Sequence, residues 1–151
     1  MRAELAVEYS LFLLVAAPIL VFDVREYRIP DILSLGGLLV LSGLQLAFAQ
    51  ATLGEIAVEC CLGYGSFWLI HRLTRGGMGL GDAKFSALIA VAVGVLPWLV
   101  ALLAASLAGL AFAGFRIFVL GRDRRARIPF APFLTFGAMV SVAVERFLPW
   151  L

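Results

Sequence analysis

The sequence predicts an all-α fold, a polytopic membrane bundle of six transmembrane helices that forms one domain over residues 1–151. Of the 151 residues, 63% are apolar and only 15% are charged, whereas a soluble domain is about half apolar and a quarter charged. The mean hydropathy is +1.04. Six spans of about 20 residues would use most of the chain, so we expect no separate soluble domain. Function must then reside in the bundle or its loops.

Six apolar segments, separated by turns or polar residues, are the candidate spans. We expect the first to be a retained span rather than a cleavable signal, because Glu4 and Glu8 interrupt the basic start and no small-residue cleavage site follows. Gly94–Pro97 divides the charge-free run that begins at Phe85. The spans are predicted over about residues 4–22, 32–48, 55–70, 82–93 and 98–120, with a sixth that follows residues 128–134 and ends at about 147.

Polar and small residues in these segments predict helix caps and helix contacts. Asp31 stands where it can cap the second helix, and Gln45 is expected to form a hydrogen bond between helices. The fourth span is short for a bilayer, which implies local thinning or a water-filled entrance near Asp82. Small residues expected at close helix contacts are Gly63, Gly65, Ser66, Gly109 and Gly114.

The basic residues lie mainly in alternate connections of the six-span arrangement. Of the 12 Lys and Arg residues, all but Arg2 and Arg146 fall in the first, third and fifth connections. The positive-inside rule therefore places these connections in the cytoplasm and both termini outside. The residues counted are Arg25 and Arg28, then Arg72, Arg75 and Lys84, then Arg116, Arg122, Arg124, Arg125 and Arg127.

The glycine-dense segment 76–84, Gly-Gly-Met-Gly-Leu-Gly-Asp-Ala-Lys, is the predicted active-site element. Its glycines remove Cβ atoms, so another extended chain can approach the backbone closely. Asp82 ends the glycine run at the threshold of an apolar span, where an ionisable group is costly unless it is protonated, paired or hydrated. The plainer interpretation is a turn with Asp82 as the N-cap of the next helix. This short pattern does not decide between the two.

A second acid, Asp23, ends the first span on the same predicted side as Asp82. The two carboxyl groups are therefore expected to meet in the bundle. Two adjacent carboxyls cannot both ionise easily, so they share one proton and titrate in two separated steps. This is the acid and base pairing of an aspartic protease.

Other kinds of chemistry fit the sequence poorly. His71 is the only histidine and cannot build a zinc site alone, while the adjacent Cys60 and Cys61 suit neither zinc nor an ordinary disulfide. No nucleophile-elbow serine and no phosphate-binding loop is present. The formal net charge is only +2, and the basic residues do not form a run that could bind nucleic acid. We therefore expect no metal, no cofactor and no nucleic-acid partner.

Three blocks in order together resemble the type IV prepilin leader peptidases and cover nearly the whole chain. They are Asp23–Asp31, Gly77–Lys84 and Ile128–Leu134. The resemblance implies an aspartic endopeptidase whose catalytic residues correspond to Asp23 and Asp82. The glycine-dense segment is the candidate loop for contact with the substrate, through Gly77, Gly79, Gly81 and Lys84. The plainer interpretation of Lys84 is a lysine that extends to the membrane interface.

The resemblance also implies the substrate and the location. The substrate would be a prepilin or pseudopilin precursor with a short basic leader and an apolar helix, cut at the cytoplasmic border, typically after a glycine. The enzyme would be an integral protein of the bacterial or archaeal cytoplasmic (inner) membrane, with its active site facing the cytoplasm. Its other partners would be membrane lipids and, in a homo-oligomer, further copies of the chain.

Two departures from the family pattern are visible. Ala131 stands where the family has glycine, a change between small residues that we expect to matter little. The segment Asp23–Asp31 has no room for the Cys-x-x-Cys zinc motifs of the long bifunctional members. The chain therefore resembles the short, peptidase-only form that serves tight-adherence (Flp) pili or related secretion pseudopili, and N-methylation is not predicted.

Two alternatives remain open from the sequence. Gly79–Asp82 also resembles the presenilin type of intramembrane aspartic protease, in which both acids lie in the middle of the membrane. A non-enzymatic membrane scaffold or small transporter would use the same acids as a proton or cation site.

Overall fold

The computed structural model describes the backbone of residues 2–121 and 128–147, and the side chains of these ranges from Tyr9 onward. Within these ranges the chain forms six α-helices and no strand, which confirms the predicted all-α class. The predicted basic loop Arg122–Arg127 and the side chains of Glu4 and Glu8 lie outside the described residues. The helices are α1 (Arg2–Glu26), α2 (Asp31–Ala47), α3 (Leu53–Leu73), α4 (Leu80–Val93), α5 (Val95–Phe118) and α6 (Ala131–Phe147).

The first helix is longer than its predicted span. α1 contains Pro18 and continues through Asp23 to Glu26, and it ends where Tyr27 adopts a positive φ of 52°. The connection to α2 is therefore only residues 27–30. Asp23 lies inside the last turns of a helix, one turn before the chain reverses, rather than after the helix as predicted.

The third helix also begins earlier than predicted, because a capping box fixes its start. The Thr52 hydroxyl accepts a hydrogen bond from the Glu55 amide at 3.2 Å, and the Glu55 carboxylate accepts one from the Thr52 amide at 2.7 Å. This reciprocal pair satisfies two backbone donors that a helix start leaves free. α3 consequently starts at Leu53.

The fourth helix is the centre of the bundle. α4 packs against each of the other five helices, and every residue from Phe85 to Val93 is buried. Its 14 residues extend about 21 Å, which is shorter than the roughly 30 Å of a bilayer's hydrocarbon core. Gly94, with a φ of 83°, separates α4 from α5, as the sequence predicts.

Close contacts between helices form at some of the predicted positions. Gln45 donates a hydrogen bond from Nε2 to the Val91 carbonyl at 2.8 Å, which confirms its predicted role. A Cβ on Gly63 would lie 2.7 Å from the Ala87 Cα, so α3 and α4 can pack this closely only with glycine there.

Two predicted contact glycines have no such neighbour. Gly109 of α5 is not one of them, because a Cβ on Gly109 would lie 3.4 Å from a ring carbon of Phe130. Around Gly65 and Gly114, however, no described atom lies within 4 Å of that position. The prediction of a contact is therefore wrong for these two residues, and Gly65 lies beside open space.

The outer surface of the bundle is apolar, as expected for contact with lipid. On α5, for example, Leu103, Leu107 and Leu110 are 62%, 60% and 72% exposed, whereas large apolar patches are uncommon on soluble monomers. By length and composition, α3 and α5 could cross a membrane. α2 and α6 have 17 residues each, so the six crossings and the outer location of both termini stay predictions.

Candidate active site

The two predicted acids line one pocket at the end of the bundle where α1 ends and α4 begins. Asp23 and Asp82 face a cavity of about 260 Å³, whose walls also include the α1–α2 connection and the start of α4. At about 30 Å³ per water molecule, this volume corresponds to roughly nine waters. The structure therefore places both acids beside a space that water and a short length of extended peptide could occupy.

Asp23 is held by the first residues of α6. Its carboxylate oxygen Oδ2 accepts a hydrogen bond from the Ala131 amide at 2.9 Å, and the carboxylate also accepts from the Phe130 amide. Ala131 is the first residue of α6, where amides have no partner within the helix. A carboxylate from α1 thus caps α6 and lies at the positive end of its dipole.

Two opposing effects act on the charge of Asp23, which follows the predicted first span. The side chain is buried, with 5% of it exposed, and burial raises the pKa of the carboxyl because the ionised form loses hydration. The amides of Ala131 and Phe130 oppose this rise in pKa, since hydrogen bonds to the ionised form stabilise it. The amides therefore offset part of the cost of burying the ionised carboxyl, and the net effect is a raised pKa.

Asp82 is held by a local bond at the start of α4. The N-cap of α4 is Gly79, so Asp82 is the third helical residue, and the interpretation of Asp82 as N-cap is wrong. Its carboxyl accepts a hydrogen bond from the Gly79 amide, the contact that the third residue makes in a capping box. A Cβ on Gly79 would lie 3.2 Å from Asp82 Oδ2, so a side chain there would crowd the carboxyl.

The glycine loop makes two close contacts at residues without side chains, one with the α1–α2 connection and one with Thr74 at the end of α3. A Cβ on Gly81 would lie 3.0 Å from the Ile29 Cβ, and one on Gly77 would lie 3.1 Å from Thr74. Both glycines therefore have a packing reason to lack a side chain. That Gly77, Gly79 and Gly81 also contact the substrate stays a prediction.

His71, whose residue type suggested only a zinc ligand, also supports the glycine loop. His71 Nδ1 lies 2.6 Å from the Met78 carbonyl oxygen, a distance at which Nδ1–H donates a hydrogen bond. His71 lies near the end of α3, so this bond ties the glycine loop to α3. The only sequence signal was a polar residue seven positions before Met78 at a helix end.

Lys84 and Asp31 form an ion pair beside the acids. Lys84 Nζ donates to Asp31 Oδ1 at 2.6 Å, with 24% of the lysine side chain and 62% of the aspartate side chain exposed. The N-cap of α2 is Pro30, and no side chain caps this helix. The prediction that Asp31 caps α2 is therefore wrong, because its carboxylate binds Lys84. Both residues line the pocket of the acids, while substrate contact by Lys84 stays a prediction.

Sequence comparisons place the chain among known peptidases. The type IV leader peptidase family matches residues 9–114, a range that contains both acids and ends before α6. A prepilin leader peptidase/N-methyltransferase of Xanthomonas campestris pv. campestris is 32% identical over 145 residues.

That alignment covers 89% of this chain and 48% of the relative, so the chain spans about half the length of the curated relative it matches. No solved structure gives a significant match. The family match extends over most of the chain, from α1 through most of α5, and this coverage decides the family assignment. The chain belongs to the type IV leader peptidase family.

Proposed function

We propose that this chain is a membrane aspartic endopeptidase that removes the short basic leader from prepilin or pseudopilin precursors. The observation that carries the proposal is the pocket shared by Asp23 and Asp82. Family membership supports the peptidase activity and the class of substrate. The aspartic mechanism, the dyad and the site of cleavage are inferred from the two carboxyls.

In the proposed mechanism, one proton resides on the pair of acids and Asp82 carries it. The Asp23 carboxylate accepts hydrogen bonds from two backbone amides, and the Asp82 carboxyl accepts one. The negative charge is therefore better stabilised on Asp23. Asp23 is then the general base and Asp82 the general acid. Because the two groups interact, their titration belongs to the pair rather than to either residue.

The reaction consumes one water molecule and restores both carboxyls. The Asp23 carboxylate takes a proton from water while the water oxygen bonds to the scissile carbonyl carbon, and Asp82 gives its proton to the carbonyl oxygen. The tetrahedral intermediate then loses the C–N bond. Asp23 returns its proton to the leaving nitrogen, and one hydroxyl group of the tetrahedral intermediate returns a proton to Asp82. These transfers release the leader as a carboxylic acid and the mature chain as an amine.

The position of the acids favours the prepilin type over the presenilin type. Asp23 is followed by one helical turn and then by the connection 27–30, and Asp82 is in the first turn of α4. Both acids are therefore near helix ends rather than mid-helix. With the basic connections in the cytoplasm, we place the site at the cytoplasmic border of the inner membrane, where a basic leader remains in water.

Cleavage of a purified precursor tests the proposal. The protein in detergent or vesicles should cut a precursor that has a glycine before the cleavage site. Asp23→Asn and Asp82→Asn should each lower the rate by about 10²- to 10⁴-fold, the usual contribution of an acid or base. Asn at position 23 keeps an oxygen for the Ala131 amide, so the fold should survive. Glu55→Gln, a carboxyl change at the distant start of α3, is the control and should cleave normally.

A membrane scaffold or transporter would give the opposite result. Such a protein would leave the precursor intact, and the two Asn variants would then not differ from the parent chain in this assay. That outcome would reject the peptidase proposal.

We also propose that the chain does not methylate the new N-terminus. The support is the α1–α2 connection, which has only residues 27–30. This connection has no room for the Cys-x-x-Cys zinc motifs of the long bifunctional members. Mass spectrometry of the mature product, made in the presence of a methyl donor, should show an unmodified amino terminus. A product heavier by one methyl group would contradict this part of the proposal.

A further inference from the structure

An apolar groove lies on the side of the bundle between α2 and α3. It has a volume of about 520 Å³, with Leu35 and Leu38 on the α2 wall, Gly65 and Trp68 on the α3 wall, and Ala87 of α4 in the floor. Both α2 and α3 pack on α4 but have no extensive contact with each other. The groove is therefore the gap that remains where two helices share a third as their support.

The groove meets the pocket of the two acids at Lys84, which lines both cavities. Along α4, Ala87 is one turn beyond Lys84, and Asp82 is two residues before it. Five residues of helix separate Asp82 from Ala87, a rise of about 7.5 Å. A chain that lies in the groove therefore needs to extend only a short distance to reach the acids.

The shape of the groove suits a helix. Gly65 has no described atom within 4 Å of its missing Cβ, and Ala87 contributes only a methyl group to the floor. Small residues of this kind allow helix backbones to approach closely in membranes. The flanking Leu35 and Trp68 are 44% and 43% exposed, so they present apolar surface to an occupant of the groove.

The groove and the pocket that it meets at Lys84 differ in polarity. The pocket beyond Lys84 is lined by three acids, Asp23, Asp31 and Asp82, and by two bases, Arg28 and Lys84. The groove itself is almost wholly apolar. An occupant with an apolar helix and a polar, extended segment before it would match both parts.

We propose that this groove binds the apolar helix of the precursor and positions the residues before that helix beside Asp23 and Asp82. This inference rests on the proposed function, because it takes the precursor as the occupant. It adds the path of the substrate, which enters laterally between α2 and α3 along α4. Lipid and a second copy of this chain are the competing occupants.

Disulfide cross-linking tests the path without requiring cleavage. Cys61 lines the groove and is exposed, so it is a native probe; Cys60→Ala removes its neighbour, and Asp82→Asn keeps the precursor whole. A precursor with a single cysteine in its apolar helix should form an adduct under mild oxidation, and Cys61→Ala should abolish it. In that variant, Leu110→Cys provides the matched control, because Leu110 is 72% exposed on α5 outside the groove.

The inference is overturned if no adduct forms at Cys61, or if Leu110→Cys gives as much adduct as Cys61. It is also overturned if Cys61 joins two copies of this chain and the precursor does not compete. A lipid-filled groove that excludes the precursor would give no adduct at Cys61.

Filling the groove provides the kinetic test. Gly65→Leu adds a side chain where the structure has open space, and Gly43→Leu adds the same group at an exposed glycine of α2 that also has no neighbour within 4 Å. Gly65→Leu should raise KM for the full precursor roughly tenfold and leave kcat within about threefold, whereas Gly43→Leu should change neither. Equal KM values for the two variants would contradict the proposed path.

The two proposals can fail separately. An intact precursor that still cross-links to Cys61 rejects the peptidase function and retains the groove as a helix-binding site. A precursor that is cut normally but neither cross-links nor responds to Gly65→Leu retains the peptidase and rejects the groove. A precursor that is neither cut nor cross-linked rejects both.

Discussion

The two acids of the pocket are held in contrasting ways. Asp82 bonds to the Gly79 amide, three residues earlier in the same helix start. Asp23 bonds to the Ala131 amide, 108 residues later in the chain. Both carboxyls lie at a helix N-terminus, but one arrangement is local and the other depends on how α1 and α6 pack. Half of the site is therefore set by a short motif, and the other half by the assembled bundle.

This contrast separates two kinds of sensitivity. Changes in the loop 76–81 should affect Asp82 first, because its support is local. Changes that move α6 relative to α1 should affect Asp23, even when they are distant from it in sequence. The following predictions probe each acid and its support.

The largest expected effect concerns the two acids together. If they act as one unit, the double variant Asp23→Asn/Asp82→Asn should be no slower than the worse single variant, because either loss already removes the shared proton chemistry. Each single variant should be about 10²- to 10⁴-fold slower than the parent chain. Cleavage rates of the three variants measure this, and multiplicative losses would show that the acids act independently.

The next effect is a bell-shaped dependence of the cleavage rate on pH. The rate should fall on the acid side as Asp23 gains a proton, and on the alkaline side as Asp82 loses the shared one. Burial raises the pKa of Asp23, so the acid limb should lie above the value of about 3.9 for a free aspartate. A kcat/KM profile with no acid limb above that value would contradict the role of Asp23 as base.

A smaller effect is expected when the local support of Asp82 is crowded. Gly79→Ala places a Cβ 3.2 Å from Asp82 Oδ2, so the carboxyl must shift by a few tenths of an ångström. We expect kcat to fall roughly tenfold with KM nearly unchanged, because misplaced catalytic groups lose rate rather than binding. Gly54→Ala is the control, since its Cβ would meet only Thr52 Oγ1, at 3.8 Å. Equal kcat values for the two variants would count against this arrangement of Asp82.

The smallest effect is expected at His71, which supports the loop from α3. His71→Ala removes the bond to the Met78 carbonyl, and we expect kcat to fall about threefold, in line with the loss of one ordinary hydrogen bond. His71→Asn should restore much of the rate, because its amide nitrogen can occupy the position of Nδ1. A rate that is low in both variants while the midpoint of thermal unfolding is unchanged would require another role for His71.

The sequence predicts the local features of this molecule well. The break at Gly94, the hydrogen bond of Gln45 and the glycine-rich start of α4 all depend on residues close in sequence or on a polar group within an apolar span. Each leaves a local signal, because a positive φ favours glycine and a buried amide must find a partner.

Long-range partners were not predictable from the sequence in the same way. Asp31 has the residue type and position of a cap, but Lys84, 53 residues later, binds its carboxylate instead. The capping of α6 by the Asp23 carboxylate and the open space beside Gly65 both depend on how whole helices pack. A small residue signals equally a tight contact, as at Gly63, or an unfilled groove, as at Gly65, and only the packed bundle distinguishes them.

The ion pair of Lys84 and Asp31 shows how local motifs and long-range packing combine. The lysine belongs to the glycine-dense segment 76–84 and the aspartate to the Asp23–Asp31 block. The structure joins them at Lys84, which lines both the pocket and the groove. An exposed ion pair contributes only about 0–1 kcal/mol. Its importance is therefore positional, because it lies where the apolar helix of a precursor would meet the acids.

The most direct test of the account is the protonation of the two acids at neutral pH. Infrared difference spectroscopy can compare the carboxylic acid C=O band of the parent chain with those of Asp23→Asn and Asp82→Asn. The account predicts one protonated carboxyl in the parent chain that Asp82→Asn removes. A parent spectrum in which neither acid holds a proton, or a band that Asp82→Asn leaves unchanged, would contradict it.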